Sequence, residues 1–539
     1  MIVPRPVRTR VSGEQRVTLS AEGLVIGCDD ASRPAGRLLR AALEASTGWD
    51  IPLVSLADGQ LADGHRANSV TLISGAAGLA GEGYRLRIPA DGAVIIEGGG
   101  PAGTFYGTQT LRLLLPPQTL REAPATPPRP GGARAVLDVP VAEIEDAPRY
   151  SWRGVHLDVA RHFLDKRWIL RLIDLAALHK LNVLHLHLTD DQGWRLPVER
   201  YPLLTEIGAW RRESPLGHAR EKRFDGIPHG GWYTKEDLAE IVAFAARRHV
   251  TVVPEIDMPG HMEAAIAAYP ELGNTDLAGP GVPAKRGTPR VRTRWGISRR
   301  VLNVEDATVE FCRNVVDEVM DLFPGDYVHL GGDECPAGEW HLSARARRRA
   351  EALGFRHEQQ LQGWFMGQVA DRLTERGRRM VGWDEVVDAG GPANAVIMAW
   401  RGDGHMGRWA AELGHQVVMA PEYWTYLDWA QSRDESEPLA IRGATSVRDV
   451  YEFDPVPRGL SEHALGNIIG AQCQLWTEYV PDTRHAEYMY FPRLCALAEV
   501  VWSPPGGEYA EFERRLAVHL PRLDARDVNY RPLAGPAPA

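Results

Sequence analysis

From Arg153 onward the chain repeats one texture eight times: a short apolar run, followed in most repeats by residues whose apolar positions recur at helical spacing. The runs are Gly154–Val159, Asn182–Leu188, Val250–Glu255, Tyr327–Gly331, Met380–Trp383, Ala395–Trp400, Gln416–Ala420 and Ile468–Leu475. Helical patterns between and after them include Arg167–His179, Lys235–Arg248, Val304–Leu322, His357–Arg376 and His485–Trp502. Strands joined through helices must run parallel, because the crossover returns the chain to the end of the sheet where it began. Eight such units suit a closed (β/α)8 TIM barrel better than an open sheet, so the predicted class is α/β with a barrel over residues 146–539, ending in a helical tail.

The first 145 residues read differently. Short β-rich runs at Arg16–Leu19, Val70–Ile73, Tyr84–Ile88 and Ala93–Glu97 mix with helical patterns at Arg37–Ser46 and Gly103–Leu115, which predicts a small α+β domain. Its Pro/Gly-rich stretch 116–135 reads as a linker or exposed loop. A second irregular stretch, 273–299, follows the third barrel strand and suits either a pocket rim or the contact of a homodimer. Pro532–Ala539 reads as a disordered tail.

Composition excludes several partners. Acidic side chains outnumber basic ones 71 to 61, so the positive excess that neutralises nucleic-acid phosphates is missing. Five scattered cysteines, with no CxxC pair and no zinc-ligand spacing, argue against a disulfide framework. The opening residues MIVPRPVRTRVSGEQ lack the apolar core of a signal peptide, and no apolar stretch is long enough to span a membrane. The expected setting is a reducing cytoplasm.

Barrel enzymes keep their chemistry at the C-terminal strand ends. There the sequence places Arg161, Asp190 with Asp191, Asp257 with His261, Asp333 with Glu334, Trp383, Trp400, Tyr426 with Asp428, and Trp476 with Glu478. Aromatic faces stack on the apolar C–H patches of a sugar while carboxylates accept its hydroxyl hydrogen bonds, so the set predicts a carbohydrate site. Nothing in it resembles a phosphate loop or dinucleotide fingerprint, and no cofactor is expected.

Six blocks then carry a resemblance: GVHLDVARHF (154–163), LHLHLTDDQGWRL (184–196), VVPEIDMPGHM (252–262), HLGGDE (329–334), VGWDE (381–385) and LWTE (475–478). In this order and spacing they resemble glycoside hydrolase family 20, the β-N-acetylhexosaminidases. FYGTQTLRLLL (105–115) is similar to the helix that ends the family's small non-catalytic N-terminal domain, so the resemblance covers both domains. It implies an exo-acting, cofactor-free enzyme that retains anomeric configuration, and a substrate that is an amino-sugar oligosaccharide or glycoconjugate. Ordinary retaining glycosidases use two enzyme carboxyls about 5 Å apart, whereas this family is a substrate-assisted exception. The resemblance implies that the substrate's 2-acetamido oxygen is the nucleophile, that Glu334 is the general acid/base, and that Asp333 stabilises the oxazolinium ion.

Adjacent acids on a strand face opposite ways, so Asp333 and Glu334 can serve one pocket only where the strand breaks; Gly331 and Gly332 make that break plausible. Glu334 must be protonated for one step and ionised for the next, and Asp190 and His261 are candidates for tuning it. The resemblance further implies that Arg161 and Glu478 bind outer hydroxyls and that Tyr426 and Asp428 hold the acetamido group. It implies walls of Trp383 and Trp476, with Trp364 as a third.

Other readings compete. His185 and His187 alternate on one strand, as in the metal pair of binuclear hydrolases, but the late strand ends carry Trp400, Tyr426 and Glu478 where such a site wants further histidines. No metal is expected, and the pair reads as pocket support. A silent carbohydrate-binding protein would have no need of the Asp333–Glu334 pair, while release of a disaccharide depends on pocket width. Cys335, beside the general acid, reads as a bystander thiol.

Overall fold

The structure is a computed structural model that describes residues 2–57, 61, 67–124, 136–278 and 288–536. Its N-terminal part is a sheet of seven strands: β1 (Arg8–Ser20), β2 (Val25–Cys28), β3 (Leu53–Ser55), β4 (Ser69–Ser74), β5 (Tyr84–Ile88), β6 (Ala93–Gly98) and β7 (Val136–Asp146), in the spatial order β1-β7-β5-β6-β4-β2-β3. Two helices, α1 (Arg33–Thr47) and α2 (Pro101–Leu114), accompany it. Every residue of α2 from Gly103 to Leu114 is buried. A helix covered all round has a partner on each side. One side of α2 packs on the sheet, and the other meets the barrel, where Tyr106 lies edge-on to Trp502 and the Leu113 carbonyl accepts from Arg522. Of the Pro-rich stretch, Pro117–Leu120 forms a short 3-10 turn, and residues 125–135 lie outside the described residues.

The second part is the expected closed barrel of eight parallel strands: β8 (Trp152–Asp158), β9 (Val183–His187), β10 (Thr251–Glu255), β11 (Tyr327–His329), β12 (Arg379–Trp383), β13 (Val396–Ala399), β14 (Val417–Met419) and β15 (Ile468–Cys473). Around it lie α3 (Lys166–Leu178), α4 (Lys235–Ala246), α5 (Asp306–Leu322), α6 (Gln360–Glu375) and α7 (His405–Glu412). After β12 the crossover helix shrinks to the single turn Glu385–Asp388, since Gly390, Gly391 and Pro392 follow at once. The helix expected over 485–502 is two, Thr483–Tyr490 and α8 (Arg493–Trp502), because Pro492 has no N–H with which to continue the ladder. The tail is α9 (Tyr509–Ala525). No helix among the described residues is long and apolar enough to cross a membrane.

Period-two alternation decides what fills the barrel. Val183, Val253, Val381, Val396 and Val418 form an apolar layer. Two residues further along three of the same strands stand His185, Glu255 and Trp383, so the layer above, toward the C-terminal strand ends, is polar and hydrogen-bonded. The barrel interior is therefore the floor of the site. All five cysteines are buried free thiols.

Candidate active site

A cavity of about 300 Å³ opens at the C-terminal ends of the strands. Its acids come from one backbone break. β11 stops at His329, after which Gly331 and Gly332 adopt φ of 66° and 96°, and Glu334 itself has φ 45°. The Gly332 N–H donates to Asp257 Oδ1 at 3.1 Å, and a Cβ on Gly331 would fall 1.7 Å from the same oxygen, so glycine is required there. This turn brings the Asp333 and Glu334 carboxylates to the same cavity, each 3.6 Å from His261 Nε2.

His261, at φ 50°, presents its other nitrogen to Asp190 Oδ1 at 3.2 Å. Asp190 is buried, does not line the cavity, and is held from three sides: Arg161 at 2.7 Å, His187 Nε2 at 2.9 Å and His261. His187 Nδ1 in turn meets Glu255 at 2.5 Å, and Glu255 also faces His185 at 3.0 Å, His329 at 3.0 Å and the Trp383 indole N–H at 2.8 Å. Both ring nitrogens of His187 are thus engaged by carboxylates beneath the pocket. His185 turns its Nδ1 to Gln472 at 2.9 Å.

Burial would raise the Asp190 carboxyl, but Arg161 and His261 outweigh it and hold the group below the usual carboxylate range. Burial works against the His261 imidazolium, yet Asp190 and Asp333 carry its pKa well above the ordinary value. For Asp333, burial wins over the attraction of His261, and the repulsion of Glu334 adds to it, so the carboxyl is raised. Asp191 is pushed up to about 7, chiefly by burial; its Oδ1 accepts from the Glu263 N–H. Burial likewise pushes up the Cys335 thiol, in keeping with a bystander role.

The opposite side of the cavity is aromatic. Trp383, Trp400, Tyr426 and Trp476 line it, with Trp400 and Tyr426 stacked at 6.1 Å between centroids. Arg161 lies 5.1 Å from the centre of the Trp476 ring while pairing with Asp190, which fixes its guanidinium at the cavity edge. Asp428 and Glu478 also line the space; both are raised by burial, Asp428 further by Glu478, while Arg161 partly offsets the rise at Glu478. One oxygen of Asp428 is buried with no partner, as for an acceptor awaiting a hydroxyl or amide donor.

Trp364 is not brought to the cavity. On α6 it is Gln362 that faces the Gly331–Glu334 turn, donating to the Gly332 carbonyl at 2.6 Å. A residue two positions on points about 200° around the helix. Trp364 accordingly packs away from the cavity, with Arg349 5.1 Å from its ring centre. Trp400 takes the place among the walls, its indole N–H donating to Glu385 at 2.9 Å. The sequence reading also passed over Trp295 and Ile297, which line the cavity from the 273–299 stretch and give that loop a rim role. A lone Trp amid Gly, Pro and Arg was the available signal. Residues 279–287 of that stretch lie outside the described residues. Tyr479, also at the rim, accepts from the Ala219 N–H at 3.1 Å, and His218 and Ala219 line the cavity beside it.

Both parts of the chain resemble known proteins. Residues 150–505 match the catalytic domain of glycosyl hydrolase family 20, and residues 1–147 match domain 2 of that family. A β-hexosaminidase of Porphyromonas gingivalis is 35% identical over 98% of the chain, which spans 64% of that relative's length. One from Akkermansia muciniphila is 36% identical over 81% of the chain and 83% of its own length. Among solved structures, the family 20 β-N-acetylhexosaminidase of Streptomyces coelicolor superposes with a TM-score of 0.81 at 32% identity, covering 100% of this chain and 98% of that one. With both of its domains matched in order, the chain belongs to glycosyl hydrolase family 20.

Proposed function

We propose that the chain is a retaining exo-β-N-acetylhexosaminidase that removes terminal N-acetylglucosamine or N-acetylgalactosamine with the help of the substrate's own acetamido group. The observation that carries this reading is the Asp333–Glu334 pair at one histidine, facing an aromatic wall across a cavity of about 300 Å³. In the first step the acetamido oxygen attacks C1 and the C1–O glycosidic bond breaks as Glu334 gives its proton to the departing oxygen. Asp333 accepts the acetamido N–H and offsets the positive charge of the oxazolinium ring. In the second step water attacks C1 while Glu334 takes its proton, and the ring opens to the product with its original configuration.

His261, held by Asp190, keeps positive charge beside both acids. Tyr426 orients the acetamido group, and Trp383, Trp400 and Trp476 wall its methyl. Arg161 and Glu478 take the outer hydroxyls. Asp428, which lines the same cavity with one buried oxygen unpartnered among the described residues, holds the acetamido group beside Tyr426. The buried free thiols support a setting in a reducing cytoplasm.

Initial rates on 4-nitrophenyl N-acetyl-β-glucosaminide and 4-nitrophenyl β-glucoside test the reading. An intramolecular nucleophile is worth up to about 7–11 kcal/mol. The first substrate should therefore turn over at least about 10³ times faster, a ratio worth about 4 kcal/mol and so well below that ceiling. Comparable rates on both would overturn acetamido participation, and release from neither would overturn the activity.

A further inference from the structure

A second cavity, of about 470 Å³, lies where the N-terminal domain meets the outside of the barrel, and none of its lining residues touches the active-site cavity. Five arginines reach it: Arg112 from α2, Arg167 and Arg171 from α3, Arg248 just beyond α4, and Arg526 at the end of α9. Two carboxylates accompany them, Asp174 and the exposed Glu122.

The partners leave cationic charge over. Arg171 pairs with Glu487 at 2.6 Å. Asp174 spends one oxygen on Arg248 at 2.8 Å and the other on Arg526 at 2.7 Å. Arg112 is 9% exposed and makes no ion pair among the described residues; it donates to the neutral Gln109 amide oxygen at 2.8 Å, and its buried Nε has no acceptor among the described residues. The Nε of Arg526 is orphaned in the same way. Arg167 stands exposed and has no ion pair among the described residues. Burial pushes Arg112 down to about 10, which still leaves it charged at neutral pH. A desolvated guanidinium with unmet N–H donors and no paired carboxylate is costly, and a tetrahedral oxyanion supplies the acceptors it lacks.

The rest of the lining is apolar. Leu170 of α3 and the edge of Phe244 of α4, whose face carries the Arg248 guanidinium 3.5 Å from the ring centre, form a shelf beside the arginines, backed by the buried Leu39 and Phe105. We propose that this interdomain cavity is a binding site for a phosphomonoester carrying an apolar group, its phosphate held by Arg112 and Arg167 and its apolar part laid on the shelf. Such a ligand bridges α1 and α2 to α3 and α4, so it ties the two domains together.

Isothermal titration of the full chain at fixed ionic strength, with phenyl phosphate, inorganic phosphate and phenol as probes, tests the site. The site predicts saturable binding of phenyl phosphate at least tenfold tighter than inorganic phosphate, none for phenol, and no displacement by N-acetylglucosamine. Arg112→Gln should weaken binding at least tenfold and Arg167→Ala at least threefold, with turnover of the chromogenic glucosaminide unchanged in both. Should Arg112→Gln fail to fold, the exposed Arg167→Ala decides alone. No saturable binding, equal affinity for phenyl phosphate and inorganic phosphate, or full affinity in Arg167→Ala would each overturn the proposal.

Discussion

Asp333 and Glu334 differ in what surrounds them, and the two positions should respond differently to substitution. Glu334 is the more open, its side chain one-third exposed toward the mouth, as a donor to a leaving group must be. Glu334→Gln should lower kcat by about 10²–10⁴, the usual worth of general acid–base catalysis, with the smallest loss on substrates whose leaving group needs no proton. Unchanged turnover on an alkyl glycoside would remove Glu334 from the mechanism. The His261–Asp190 contact sets a pH dependence. The raised His261 value means that its ion-pair contribution is fully present below the ordinary imidazole pKa and lost as pH rises through the raised one. Asp190 runs the other way, contributing above the ordinary carboxylate range and losing its contribution as pH falls through the lowered value. Asp190→Asn removes the first anion that sustains the imidazolium, so the alkaline limb of kcat/KM against pH should move to lower pH. A profile that only scales down, with both limbs in place, would make Asp190 a packing residue.

The elements that carry these groups were legible to different depths. The eight strands were readable because each is a short apolar run, most of them followed by a helical pattern, and the barrel rule then told where to look. The break at Gly331–Gly332 was legible as two glycines before two acids. What it closes on, Asp257, was not, since that contact joins residues 75 positions apart. Gly331→Ala should cost at least about 1–3 kcal/mol of stability and nearly all activity, because its φ of 66° and the Asp257 carboxylate both oppose a Cβ. Thermal unfolding and rate together check this, and an active, equally stable variant would contradict the glycine argument. Trp364 escaped a correct reading because motif spacing says that a Trp is near, whereas helix phase says which way it points. Trp295 escaped because an irregular loop has no period from which a direction can be inferred.

At the scale of the whole molecule, the two domains share a buried polar knot that composition could not reveal. Asp146, at the end of β7, accepts from Lys180 at 2.8 Å, Tyr84 at 2.6 Å and the Trp502 indole at 3.0 Å, all out of water. Removing one side of a buried ion pair strands the other, so Asp146→Ala should cost about 3–5 kcal/mol in denaturant unfolding, and the additional change Lys180→Met should recover part of the loss. No recovery in the double variant would argue that the knot acts through shape and not through charge. The same knot ties the N-terminal sheet to the barrel through Lys180 and Trp502. The central claim is that the substrate supplies its own nucleophile, and the most direct measurement is the rate on 4-nitrophenyl glucosaminides whose acetyl methyl carries none, one, two or three fluorines. Each fluorine drains electron density from the acetamido oxygen while leaving the leaving group unchanged, so kcat should fall steeply with every substitution. A rate that does not depend on fluorine number would contradict the account and place the nucleophile on the protein.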